Sequence, residues 1–387
     1  MKRAGFVCLV AIASLASCNA LLDNQLGQAP SPDAGTVTGD AAMAADVTLA
    51  TDGGDGGAPP DDSGRSDGKT PLPPAEAGVE VIVTNAQLDV LQDLATDGAS
   101  IYWSTVDSCG SATHVSYRAA AIDGTGARTL TTRPTSGAAC GLGYCFQVAL
   151  SPTGVMFTNS ADQSAGAVQS VGKDGGPVAS LVDNEDVPCA VATLQGRAYW
   201  SNGYLARLRT LDTGGVARTA LDAVQVEHIV TDGTSLYMTA YSYQAQRAAL
   251  RGDVAVDGGL TITPLFTATN GRIGGIALST THVFWADTES GRILMEPKSG
   301  GTPVVVASGL GIPNEVAFSD GYLYFTAPAS SLTRGDGLVG RVQIDGNGPV
   351  GAVVPIATKQ DLPGQIAVDD HYLYWADALS KIYRAPK

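Results

Sequence analysis

The sequence predicts an all-β fold in which one four-stranded unit is repeated seven times around a ring, on three observations. A short aromatic string returns along the chain at near-constant spacing. Tight turns rich in Asp, Gly or Ser come shortly before its copies, three of them Asp-Gly. Gly is abundant, at 47 of 387 residues, while charged residues make up only 16%, a mixture that suits short strands divided by tight turns rather than long helices.

The string appears as Ile101-Tyr102-Trp103-Ser104, Val155-Met156-Phe157-Thr158, Ala198-Tyr199-Trp200-Ser201, Leu236-Tyr237-Met238-Thr239, Val283-Phe284-Trp285-Ala286, Leu323-Tyr324-Phe325-Thr326 and Leu373-Tyr374-Trp375-Ala376. Its third residue recurs about every 45 positions, which is the length of a four-stranded β-propeller blade. Before the string, a short apolar strand ends in a hairpin turn, as in Ala95-Thr96-Asp97-Gly98 and Val230-Thr231-Asp232-Gly233; Asp and Gly supply the backbone freedom such a turn needs. After it come a third strand (Gly291 to Met295), a Gly-rich turn (Lys298 to Gly301) and a fourth strand (Pro303 to Val306). The last unit stops at Lys387 after its third strand, Lys381-Ile382-Tyr383-Arg384. Val81-Ile82-Val83-Thr84 lies where a fourth strand belongs relative to Trp103 and is expected to close blade seven, leaving few open strand edges.

The Tyr-Trp-Ser, Phe-Trp-Ala-Asp and Tyr-Trp-Ala-Asp strings resemble the YWTD repeat of the LDL-receptor class B type, and are similar to bacterial NHL-like propellers, over residues 79–387. YWTD propellers have six blades, so six is the alternative to the seven counted. An aromatic at one place in every blade serves packing between blades. Asp287 and Asp377 read as turn-capping carboxylates.

The chain opens with Met1-Lys2-Arg3 and an apolar run from Ala4 to Ala16, too short to span a bilayer and suited to a secretory signal. It ends in Leu15-Ala16-Ser17-Cys18, which is similar to a bacterial lipobox, so residues 1–18 are expected to be a lipoprotein signal peptide and Cys18 the lipid attachment point. Asn19 after the Cys favours the outer membrane, by resemblance to enterobacterial sorting. Residues 19–78 contain no aromatic residue and are dominated by Ala, Gly, Pro, Asp, Ser and Thr; such a stretch cannot offset its ordering entropy and is expected to be a disordered tether. Sixty flexible residues reach roughly 40–45 Å.

The net charge is −15, with +2 in the leader and −8 in the tether, leaving −9 on residues 79–387. An acidic body without a basic stripe repels phosphate backbones, so nucleic acid is not an expected partner. Cys109, Cys140, Cys145 and Cys189 fall on one rim by strand parity. Two disulfides are expected, with Cys109–Cys140 and Cys145–Cys189 the favoured pairing of three and a metal site the alternative.

The four His residues are scattered, and no nucleophile elbow, phosphate loop or His-Glu-x-x-His motif occurs. Catalytic residues and cofactors are therefore not predicted, and an enzyme is left open but not favoured. Pro313-Asn314-Glu315-Val316-Ala317 resembles the strand start of calcium-dependent lactonase propellers. That resemblance implies Asn314 as a calcium ligand, although Glu315 stands where that family has Gly. The loop from Ala240 to Arg247 offers Tyr241, Tyr243 and Arg247 as candidate ligand contacts. The expectation is a monomeric, lipid-anchored binding or scaffold protein of the envelope that recognises a protein or glycan through its propeller rim. The alternative is a metal-dependent hydrolase, lactonase-like, with its site at the central channel mouth.

Overall fold

The computed structural model describes residues 78–387, apart from 85–89, 108–112, 136–144, 161–165, 204, 212–213, 245, 269–270, 330–333, 347 and 379. The leader, Cys18, the tether, Cys109 and Cys140 lie outside the described residues. Twenty-eight strands are described, in seven sheets of four.

The first strand, β1 (Glu80–Thr84), stands apart from its neighbours in sequence. Blade 1 holds β2 (Val90–Thr96), β3 (Ser100–Val106), β4 (Thr113–Ala121) and β5 (Arg128–Thr135). Blade 2 holds β6 (Val148–Leu150), β7 (Gly154–Ser160), β8 (Gly166–Gly172) and β9 (Ala179–Glu185). Blade 3 holds β10 (Pro188–Leu194), β11 (Arg197–Asn202), β12 (Arg207–Leu211) and β13 (Ala217–Asp222). Blade 4 holds β14 (Val224–Thr231), β15 (Ser235–Tyr243), β16 (Gln246–Val254) and β17 (Leu260–Ala268). Blade 5 holds β18 (Ile273–Leu278), β19 (His282–Asp287), β20 (Arg292–Pro297) and β21 (Val304–Ala307). Blade 6 holds β22 (Val316–Ser319), β23 (Tyr322–Ala327), β24 (Gly337–Asp345) and β25 (Gly348–Gln360). Blade 7 holds β26 (Ile366–Val368), β27 (Tyr372–Ala376) and β28 (Lys381–Pro386).

Every blade is an antiparallel meander, and blade 7 takes β1 as its outer strand, with Glu80 opposite Arg384 and Thr84 opposite Lys381. The fold is thus a seven-bladed β-propeller closed by its N-terminal strand, and the count of six is excluded. The first strands of successive blades, β2, β6, β10, β14, β18, β22 and β26, neighbour one another around the centre. The second strands are the most deeply buried: β7 and β19 are buried at every position, while outer strands such as β9 are largely exposed.

The repeated string explains how the ring holds together. Its second residue in one blade shares an apolar cluster with its third residue in the next, at all seven interfaces: Tyr102 with Phe157, Met156 with Trp200, Tyr199 with Met238, Tyr237 with Trp285, Phe284 with Phe325, Tyr324 with Trp375, and Tyr374 with Trp103. Burying side chains of this size contributes about 1.5–3 kcal/mol each. The fourth residue adds a polar staple. The hydroxyls of Ser104, Thr158 and Thr326 donate to the carbonyls of Phe146 (2.7 Å), Cys189 (2.8 Å) and Gly364 (2.7 Å) at the start of the following blade. Blade 5 has Ala286 at this place, and Thr288 supplies the hydroxyl, donating to the Pro313 carbonyl at 2.9 Å.

The Asp of the hairpin turn is also shared between blades. Asp97 accepts from the Tyr102 hydroxyl (3.1 Å) and from Lys173 of blade 2 (2.7 Å); Asp232 accepts from Tyr237 (3.1 Å) and from Lys298 of blade 5 (3.0 Å). Asp377 caps its turn through Lys381 N (3.0 Å) and the Tyr383 hydroxyl (2.8 Å), and Asp287 pairs with Arg292 at 2.6 Å. Cys145 and Cys189 are bonded, tying the starts of the inner strands of blades 2 and 3.

Candidate functional site

Each inner strand runs from the face that carries Cys145 and Cys189 toward the face of the Asp-Gly hairpins. One position on these strands lies ten residues before the third residue of the aromatic string in every blade. It is occupied by Asp93, Gln147, His228, Glu315 and Gln365 in blades 1, 2, 4, 6 and 7, and by the small residues Ala190 and Gly275 in blades 3 and 5. Register shifts occur beside this position in β2, β10, β14 and β18, and such bulges re-aim side chains that a regular strand would not present together.

The two small residues let the long ones meet. Gln147 of blade 2 reaches past blade 3 to donate from Nε2 to the Glu227 carbonyl (2.9 Å), and the same nitrogen lies 3.3 Å from His228 Nδ1 in blade 4. Glu315 of blade 6 lies over blade 5: a Cβ on Gly275 would stand 2.1 Å from its Oε2. Its Oε1 is 3.6 Å from His228 Nε2. A backbone carbonyl can only accept, so the Gln147 atom facing Glu227 is the NH2 group; His228 Nδ1 therefore accepts, and the ring proton sits on Nε2.

Burial and charge set the protonation of this arc. Glu315 is only 8% exposed, no hydrogen bond reaches its carboxyl group among the described residues, and burial with the nearby Asp93 and Glu227 carboxylates pushes it up to about 8 despite the Arg272 guanidinium. Burial likewise raises Asp93 to about 6, although the amides of Val148 (2.7 Å) and Leu94 (2.9 Å) donate to it. Glu227 is raised by burial, with Arg272 and Arg247 opposing. Burial and the nearby Arg272 charge push His228 down to about 3, so the imidazole is neutral, and among the described residues its Nε2 has no hydrogen-bond partner. At neutral pH the centre thus holds a protonated carboxyl group beside a neutral imidazole.

The residues singled out from the sequence occupy different places. Tyr241 and Arg247 flank the same mouth but face inward: Arg247 stacks on the Tyr241 ring and donates to the carbonyls of Gly271 (2.8 Å) and Tyr241 (2.5 Å). By holding Gly271 they fix the backbone that leads into Arg272. Tyr243 is half-buried in the same loop. Asn314 precedes Glu315, and its carbonyl accepts from Gly275 N at 2.7 Å. Among the described residues no group of three or more His, Cys, Asp or Glu could hold a metal ion. Asp93, Gln147, Glu227, His228 and Arg272 were not singled out, although the ten-residue offset would have found the first, second and fourth of them.

Fold and site together define a seven-bladed propeller whose central channel is crossed by an arc of buried polar side chains. No family model matches the chain, and no curated protein matches it in sequence. In fold it is similar to selenomethionine-substituted virginiamycin B lyase from Staphylococcus aureus, with 13% identity, a TM-score of 0.58, and 80% of this chain and 99% of that chain covered. A catalytically inactive variant of virginiamycin B lyase from the same organism, solved with quinupristin, aligns at 15% identity and a TM-score of 0.57 over the same shares. The β-propeller domain of the Trilobed protease from Pyrococcus furiosus aligns at 9% identity and a TM-score of 0.51, over 77% of this chain and 95% of that chain. At these identities the likeness is one of fold.

Proposed function

We propose that the chain is a lipid-anchored binding protein of the bacterial envelope, carried at the outer membrane through Cys18, whose YWTD-like propeller recognises an envelope protein or glycan. The ligand is engaged at the centre of the disulfide-bearing face. The observation that supports this reading is the convergence of Gln147, His228 and Glu315 from three blades, with the buried His228 Nε2 left without a hydrogen-bond partner among the described residues where a purely structural network would satisfy it.

The test is retention. The full chain is incubated with envelope extract, washed and denatured, and the released molecules are identified by mass spectrometry. A ligand held by the wild type and reduced about tenfold or more in His228→Ala supports the reading; equal retention by both sinks it. Cys18→Ala is expected to move the chain from the membrane to the soluble fraction.

A second reading, a hydrolase or lyase, is favoured by one observation: the protonated Glu315 carboxyl group lies 3.6 Å from a neutral imidazole, a pairing suited to general acid–base chemistry. It predicts turnover in a panel of lactones and esters and a loss of about 10²-fold or more in Glu315→Gln.

A further inference from the structure

Acid groups outnumber guanidinium groups at the centre of the ring, three carboxyl groups against Arg272 and Arg247. Three carboxyl groups, Asp93 of blade 1, Glu227 of blade 4 and Glu315 of blade 6, act on one another through the low-dielectric interior, and the Arg272 guanidinium is shared between Glu227 and Glu315. Asp93 is held by the amides of Val148 and Leu94. Glu315 has no such donor, and the Nε2 proton of His228 points toward it across 3.6 Å without closing a hydrogen bond. Among the described residues no three His, Cys, Asp or Glu side chains come together closely enough to hold a metal ion. A cation that bears its own N–H donors suits carboxylates spread over separate blades.

We infer that this ring is the receptor for an alkylammonium group, which docks on the Glu315 carboxylate while His228 Nε2–H donates to the same carboxylate and Gln147 holds the imidazole from behind. The inference rests on the reading of the ring as the ligand site and names the chemistry that site accepts.

Charge balance gives this site a signature. In the free protein Glu315 keeps its proton up to about pH 8. Docking a cation requires the carboxylate, so the carboxyl proton leaves to solvent as the ammonium binds. The groups that face Glu315 are His228 and Glu227 on β14, Arg272 ahead of β18 and Asp93 on β2. His228 does not titrate near neutrality, and Asp93 completes its ionisation lower in pH.

The probe is n-butylamine, whose amine, like that of lysine at about 10.4, stays protonated through the range used. Calorimetry on the full chain at pH 6.5 and pH 9, in buffers of different ionisation enthalpy, should show affinity rising on the order of tenfold or more with pH, with net proton release at pH 7. Glu315→Gln, close in shape to the protonated acid, should bind at least tenfold more weakly with a flat pH profile, and its thermal melt checks that it is folded. Absence of binding, a flat profile in the wild type, unchanged binding by Glu315→Gln, or a preference for Ca²⁺ or acetate over butylammonium would each overturn the inference. An envelope ligand lost in His228→Ala but lacking an amine would sink this inference and leave the ring's binding role standing. Proton-linked butylammonium binding with no retained envelope ligand would do the reverse.

Discussion

Glu315 is an acid that the fold keeps neutral, and its cost depends on pH. Its folded value of about 8 lies above the ordinary 4.5, so between those two values the folded chain binds a proton that the unfolded chain has lost. Stability therefore falls as pH rises from about 5 to about 8 and levels off above. Glu315→Gln removes that dependence: relative to the wild type it should gain on the order of 4 kcal/mol between pH 5 and pH 8.5, read by denaturant titration at the two pH values. Asp232 behaves oppositely. Its burial favours the protonated form, but donors from Ser235, Thr234 and Lys298 outweigh it and hold the carboxyl group well below the usual carboxylate range. Asp232→Asn should cost roughly 1–2 kcal/mol at neutral pH, with the gap to the wild type closing as pH falls below about 4. The aromatic and turn residues were legible because packing demands the same side chain in every blade. The polar ring was not, because its position reads Asp, Gln, Ala, His, Gly, Glu and Gln in turn. A search for recurrence passes over a place whose use depends on unlike neighbours meeting across the centre. In the sequence Glu315 stands out only as a departure from a lactonase-like pattern, and His228 is one of four scattered His residues whose spacing suggests no cluster.

At the scale of elements, the hydroxyl ending the string distinguishes interfaces that look alike in sequence. Thr326 Oγ1 donates to the Gly364 carbonyl and accepts from Glu315 N at 3.2 Å, so it links blades 6 and 7 and fixes the backbone of Glu315. Thr239 occupies the same place in blade 4, yet its buried Oγ1 has no hydrogen-bond partner among the described residues. Replacing each by Val separates the two roles. Thr326→Val leaves a buried amide and carbonyl unsatisfied and should cost about 2 kcal/mol, whereas Thr239→Val should be neutral or slightly stabilising; equal costs in denaturant unfolding would refute the distinction. The strand order and the hairpins were readable from the string and its Asp-Gly turns. The bulges at Glu227 and at Gly274–Gly275 were not, because they arise from how an inner strand bends to meet its neighbours.

For the whole molecule, two closures matter. The Cys145–Cys189 bond joins residues 44 apart in sequence, and restricting a loop of that length stabilises by about 4 kcal/mol in the chain-entropy account. Cys189→Ser should lower the thermal midpoint by several degrees, and with it the order of Gln147 next to the bond. The second closure is the pairing of β1 with β28, reinforced by Arg384 Nε donating to Glu80 at 2.8 Å. Removing residues 79–84 should expose the β28 edge, lower the midpoint by roughly 5 °C or more and promote self-association, which light scattering would detect. The same pairing has a geometric corollary. Because the two ends of the described chain meet on the two outer strands of one blade, residues 78 and 387 are attachment points on the circumference, set apart from the centre. A domain fused after residue 387 would therefore be joined at the rim of the wheel rather than at its hub.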